Sequence, residues 1–310
     1  MGKATREAYG NALARIGKEN TIIIVLDADL SKSTKTDTFK AVCPERFFNV
    51  GIAEQNLISV GAGLAAAGKI PFVSSFSMFA TGRAFEQIRN AVCYPKLNVK
   101  VCATHAGITV GEDGATHQSL EDISCMRTLP NMTVVVPADE RETEAVIEWA
   151  ASYNGPVYVR LGRAGVDDVT TEGYSFVPGK STILVDGSDA TIIACGALVG
   201  PAVEASKTLS ESNISARVIN MASIKPIDAE AIIKAAAETG AIVTAEEHNI
   251  IGGLGSAVSE VVVSNKPVPM EFVGVQDTFG ESGTPKELMA KYGLTANDIV
   301  AAVKRVISRK

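Results

Sequence analysis

The sequence predicts an α/β protein of two domains, each a largely parallel sheet flanked by helices. Short β-branched runs alternate with helical patterns along most of the chain, the signature of a parallel sheet covered by helices. That alternation lapses between Ala164 and Gly179, where Gly, Asp, Thr and Pro occur without periodicity. A length of 310 residues also suits about two domains. The first domain is therefore placed at residues 1–170, a linker at 171–185 and the second domain at 186–310.

Each element has its own local signal. Ala8, Ala12, Leu13 and Ile16 make an apolar helical stripe, followed by strand-like TIIIVLD at 21–27. RFFNV (46–50) reads as a strand, 53–68 as a helix, IPFVSS (70–75) as a strand and 83–92 as a helix. NVKVCAT (98–104), MTVVVP (132–137) and PVYVR (156–160) are β-rich, with a helix over 140–150 between the last two. Beyond the linker come strands at 190–195, 214–220, 241–247 and 269–275. Helices start near Pro201, Asp228 and Gly255, and two more close the chain at 283–293 and 295–307.

A formal net charge of −6 argues against a general nucleic-acid or membrane binder, since either needs a basic surface. The five cysteines (Cys43, Cys93, Cys102, Cys125 and Cys195) contain no CxxC pair, so they read as thiols of a reducing compartment rather than a disulfide framework or zinc site. MGKATREAYG carries no apolar signal core, and Arg6 breaks the myristoylation pattern. A cytoplasmic location is the expectation.

Asp27, Asp29, Glu54, Phe76, His105, Arg160 and Arg163 all fall at or just past the carboxyl ends of predicted strands. In open α/β sheets ligands bind outside those ends, although βα loops are polar in any case. The loop GEDGATHQ (111–118) holds two acids, two glycines and one of the three histidines. Its composition suits a plain turn as well as a ligand site presenting Asp113 and His117. Gly61-Ala62-Gly63-Leu64-Ala65-Ala66 loosely matches a dinucleotide fingerprint, but it sits inside a helical stretch, so small-residue packing between helices explains it better. Gly252-Gly253-Leu254-Gly255 follows a strand but lacks the final glycine. There is no Walker loop, GxSxG elbow or HExxH, and no metal site is assigned to the chain.

GIAEQN (51–56), the SSFSMF run (74–79) and GEDGATHQ, in this order, resemble transketolase across essentially the whole chain, as that family's pyrimidine-binding and C-terminal domains. The family's upstream domain carries a GDG…N motif that holds Mg2+ and the phosphates of thiamine diphosphate. No GDG occurs here. The chain thus resembles the separate C-terminal subunit of a split transketolase, which transfers a two-carbon ketol group from a ketose phosphate to an aldose phosphate. The resemblance implies an N-terminal partner subunit bearing GDG…N and the Mg2+, and homodimerisation of this chain within a heterotetramer.

The resemblance also assigns residues. Glu54 matches the acid that bonds the cofactor's pyrimidine nitrogen and favours an imino tautomer able to take the thiazolium proton. An acid at a helix N-terminus is also a plain dipole partner. Phe76 and Phe79 resemble the aromatic wall on that ring; where some members add a third aromatic, this chain has Gly82. His105, Asp113 and His117 would line the donor channel and contact ketose hydroxyls, while the loop glycines would let the backbone pass close to a ligand. Arg6, Ser33 and Arg163 resemble the residues that hold the sugar phosphate, and Asp29 a cofactor-side or channel residue. Arg160 matches less well and is left out; His248 is expected at a surface or interface. Deoxyxylulose phosphate synthase, the β subunit of 2-oxo acid dehydrogenases and a non-catalytic regulatory subunit of the same fold are the rivals. The AEQ triplet is synthase-like, whereas the acidic GEDG loop and His105 favour transketolase.

Overall fold

The computed structural model describes residues 2–310. Twelve strands are present among them: β1 Ile23–Asp27, β2 Phe47–Asn49, β3 Ile70–Ser74, β4 Lys100–Ala103, β5 Thr133–Val135, β6 Val157–Arg160, β7 Thr182–Val185, β8 Ala190–Ala194, β9 Ala216–Asn220, β10 Ser223–Lys225, β11 Ile242–Asn249 and β12 Met270–Val275. They form a seven-stranded sheet in the order β10-β5-β6-β4-β3-β1-β2 and a five-stranded sheet in the order β12-β11-β8-β9-β7. Pairing is parallel except where β10 meets β5 and β7 meets β9. The predicted α/β class with two largely parallel sheets is what the structure shows.

β1, β3, β4, β5 and β6 are buried along their whole length, as strands covered on both faces must be. One face packs Tyr9, Leu13 and Ile16 of the helix Thr5–Glu19 with Val146 and Ile147 of the helix Glu140–Ser152. The other meets Leu57 and Ile58 of the helix Glu54–Ala66, and its core continues into the second half through Ile193, Ile219, Ile232 and Leu254. A separate core fills the far face of the five-stranded sheet with Leu198, Val218, Val243 and Val303.

Two strands are additions to the sequence expectation. β7 lies inside the segment expected as linker, and β10, from the second half, completes the edge of the first sheet against β5. The segment expected as one helix over 83–92 is helical but carries wide π-type turns at Met78–Arg83 and Ile88–Cys93. Such turns recur near functional sites.

The glycine patterns have structural explanations. A Cβ at Gly61 would lie 2.7 Å from Val73 Cγ1, so this glycine lets its helix pack on strand β3 rather than on another helix. At Gly252–Gly255 the helix N-terminus is already occupied: the Glu246 carboxylate accepts from Leu254 N at 2.7 Å and Gly255 N at 2.8 Å. No described helix is long and apolar enough to cross a membrane.

Candidate functional site

The carboxyl ends of β1, β3, β4 and β6 deliver most of the expected residues to one edge of the first sheet. Phe76 follows β3 and His105 follows β4; their rings stack with centroids 3.8 Å apart. Phe79 lies 6.0 Å from Phe76, and the His117 ring stands edge-on to Phe79 at 5.2 Å and to Phe76 at 6.3 Å. Arg83 lies over the outer face of Phe79, 5.5 Å from its centroid, and donates to Glu54 Oε2 at 3.2 Å. Glu54 is 2% exposed at the start of the helix Glu54–Ala66, and Arg83 gives its buried carboxyl a charged partner.

At the other end of this row, Arg6 Nη1 donates to Ser33 O at 3.0 Å and contacts His105 Nε2 at 3.3 Å. An arginine can only donate, so Nε2 accepts and His105 is the neutral tautomer with hydrogen on Nδ1. That hydrogen is directed at Thr104 Oγ1, 2.8 Å away. Burial first, then Arg6, Arg163 and His117, together lower the His105 pKa to about 3. Burial and the nearby Arg163 also lower that of Arg6, whose Nε is buried without a partner. Two guanidiniums that repel one another, beside a neutral imidazole, make an anion-binding arrangement.

Arg163 is half-buried and donates to Val110 O and to Asp113 Oδ2, the latter at 3.3 Å. The GEDGATHQ loop therefore splits its two candidate site residues: His117 meets the aromatic wall, and Asp113 meets Arg163. Asp29 accepts from Asn49 Nδ2 at 2.7 Å. Its neighbour Asp27 is fully buried and accepts from Leu30 N, Thr34 Oγ1 and Thr36 Oγ1, so it ties its own loop together. Both Asp29 (φ 67°) and His105 (φ 57°) hold left-handed backbone, a strained conformation for non-glycine residues.

The role expected of the loop glycines is corrected, and His248 and Ser33 are placed more closely. His248 is not at the surface: it is fully buried, with Nε2 at 3.4 Å from Ser124 N and Nδ1 at 2.6 Å from Asn249 O. It does sit where the two halves meet. Gly111 and Gly114, both left-handed, face the second half of the chain rather than a ligand; a Cβ on them would meet Pro285 at 3.3 Å and Ser282 at 2.6 Å. Ser33 meets Arg6 through its main-chain oxygen, not its hydroxyl. Arg160, set aside from the sequence, is spent internally on Asp122 at 2.8 Å, beside Tyr158.

Sequence reasoning missed Arg83 and Thr104. Arg83 lies 29 residues after Glu54, a separation with no local signature, and Thr104 looks like an ordinary strand-end residue. No group of three or more potential metal ligands among His, Cys, Asp and Glu occurs among the described residues.

Residues 1–167 match the transketolase pyrimidine binding domain and residues 179–299 the transketolase C-terminal domain. A Methanocaldococcus jannaschii protein provisionally named a transketolase C-terminal section is 51% identical over 311 residues, covering 99% of this chain and 98% of that one. The 6-deoxy-6-sulfo-D-fructose transketolase subunit SqwH of a Clostridium species is 43% identical over 305 residues, covering 98% and 95%. Among solved structures, a split gene transketolase described as an inactive β4 tetramer superposes with a TM-score of 0.94 at 58% identity, with both chains fully covered. With the two domain matches together spanning nearly its whole length, the chain belongs to the transketolase family.

Proposed function

We propose that the chain is the C-terminal subunit of a two-polypeptide transketolase, moving a two-carbon ketol group from a ketose phosphate to an aldose phosphate. The supporting observation is the unbroken row from Glu54 through Arg83, Phe79, Phe76 and His105 to Arg6. It joins a buried carboxyl beside an aromatic wall to a cationic end, which suits a heteroaromatic ring at one end and a phosphate at the other.

The residues fit the pyrimidine half of thiamine diphosphate, whose thiazolium ring supplies the carbanion chemistry when bound. Glu54 would hold a proton toward the pyrimidine ring nitrogen, and Phe76 and Phe79 would pack against the ring. Asp29 lies on the cofactor side of the channel. His105 enters the reaction neutral, so it can accept a hydroxyl hydrogen at Nε2 once Arg6 turns to substrate. His117 and Asp113 bond further hydroxyls of the ketose. Arg6, Arg163 and the Ser33 segment take the phosphate. The Mg2+ and the diphosphate belong to an N-terminal partner bearing GDG…N, in an assembly where this chain also contacts a second copy of itself.

One relative is named for 6-deoxy-6-sulfo-D-fructose, a ketose with a sulfonate in place of a phosphate, which supports an anionic sugar as the substrate class. The direct test is to mix the chain with a GDG-bearing subunit, thiamine diphosphate and Mg2+, and to follow transfer from a ketose phosphate to an aldose phosphate. Ketol transfer by the mixture supports the reading. Cofactor binding without transfer to any aldose phosphate would leave a non-catalytic subunit.

A further inference from the structure

The loop that carries Asp113 and His117 belongs to the first half of the chain, yet much of its backbone is held by the second. Glu247, near the end of β11, is 3% exposed, and its Oε1 accepts from Thr109 N at 2.6 Å. Its own carbonyl accepts from Arg160 Nη2 at 2.8 Å, which fixes that turn of β11 against the first sheet. Gln118, adjacent to His117, is equally buried and points Nε2 at three carbonyls: Ile108 at 3.1 Å, Gly111 at 3.3 Å and Glu281 at 2.9 Å. The first two are the loop's own and the third is in the second half, so one amide staples the loop to the segment before Pro285.

The fit leaves no slack. A Cβ on Gly107 would lie 2.3 Å from Glu247 Oε1, and one on Gly280 would lie 1.9 Å from Gln118 Oε1. Neither close approach serves a ligand: both are contacts between the two halves. A plain hydrophobic seam would dock the domains without directing a buried carboxylate and a buried amide at the backbone of this one loop.

We infer that Glu247 and Gln118 are positioning residues through which the second half of the chain holds the 108–118 loop in register with the site. They touch the Thr109 amide and the loop carbonyls, and act on substrate only through Asp113 and His117. This gives the C-terminal half a task in donor recognition, and its effect on substrate rests on the ketol-transfer reading.

The test has one arm that needs no catalysis. Amide hydrogen exchange of the full chain is followed over 107–118 and, as an internal reference, over the helix Glu54–Ala66. Glu247→Ala and Gln118→Ala are expected to speed exchange in the loop about tenfold, the effect of one buried hydrogen bond, and to leave the reference helix unchanged. Glu247→Gln keeps an acceptor oxygen and should restore most of the protection. In the reconstituted complex the two alanine variants should raise the KM for the donor ketose about tenfold with thiamine diphosphate affinity unaltered. Unchanged loop exchange in both alanine variants overturns the inference, as does parallel loss of cofactor affinity and donor KM, which marks general loosening. If the wild-type mixture transfers no ketol, the functional reading falls while the exchange result still decides the positioning role.

Discussion

Arg6 Nη1 stands 3.3 Å from Nε2 of His105 and forces that imidazole to be the acceptor. Proton binding to His105 is therefore opposed by burial, by Arg6 and by Arg163 together, and its pKa is lowered to about 3. Between that value and the ordinary one near 6.5 the unfolded chain binds a proton at this position and the folded chain does not. The stability it contributes is complete above the upper value and is lost as pH falls toward the lower one. Nitrogen NMR should show a neutral Nδ1–H imidazole at pH 5, and inorganic phosphate should raise its pKa by offsetting the two arginines. Ordinary titration near 6.5 in phosphate-free buffer would contradict this.

The phosphate clamp predicts selectivity. A charge-assisted hydrogen bond contributes roughly 1.5–3 kcal/mol, so Arg163→Ala should lower kcat/KM on phosphorylated substrates by roughly 10- to 100-fold. Ketoses without phosphate should lose far less. Because Arg163 also holds Asp113, the comparison between the two substrate types carries the information. Equal losses on both would rule the clamp out.

Glu54→Gln should keep the fold and the Arg83 contact while nearly abolishing cofactor activation, since the amide cannot supply an acidic proton to the ring nitrogen. Proton–deuterium exchange at the thiazolium carbon in the assembled complex reads this step alone. Exchange at the wild-type rate would remove Glu54 from the role.

The isolated chain should be inactive and bind thiamine diphosphate weakly, because Glu54, Phe76 and Phe79 address only the uncharged end of the cofactor. Calorimetric titration of the chain alone, then with a GDG-bearing partner, should show tight binding only in the second case. Cofactor binding should in turn strengthen subunit association by linkage. Micromolar affinity and ketol transfer by the chain alone would refute this.

Asp122 and Arg160 form an ion pair with both side chains at 5% exposure or less, completed by the Tyr158 hydroxyl at 2.6 Å. Burial pushes the Asp122 carboxyl up in pKa, but Arg160 pulls it down further, so it is ionised in the fold. Asp122→Ala should cost about 3–5 kcal/mol by stranding a buried guanidinium. Urea denaturation measures the loss; a change under 1 kcal/mol would show that Arg160 finds other partners.

The strands and long helices were legible because their burial leaves unbroken apolar runs, as in Ile23–Asp27 and Val157–Arg160. Strand-end placement of Glu54, Phe76, His105 and Arg163 followed from the same pattern. What escaped were features set by distant partners. β10 is three residues long and acquires its identity only from β5. Arg83 is an unremarkable exposed arginine until the π-type turn brings it to Glu54. Full burial of His248 escaped because the expected strand stops at Glu247 and the polar run AEEHN looks exposed, while its acids are consumed internally, Glu246 by a helix N-terminus and Glu247 by the Thr109 amide.

Because Ser223–Lys225 lends the first sheet its outermost strand, the two halves are threaded through each other rather than hung on a hinge. Cutting near residue 170 would not release a self-sufficient first domain: it would bare the edge of β5, an open ladder that invites pairing with another molecule. It would also strip Ile219, Ile224 and Ile232 from a core to which both halves contribute. Heat or denaturant should accordingly melt the polypeptide in one cooperative step, and proteolytic nicks in the segment 171–181 should leave two fragments that stay together until both unfold.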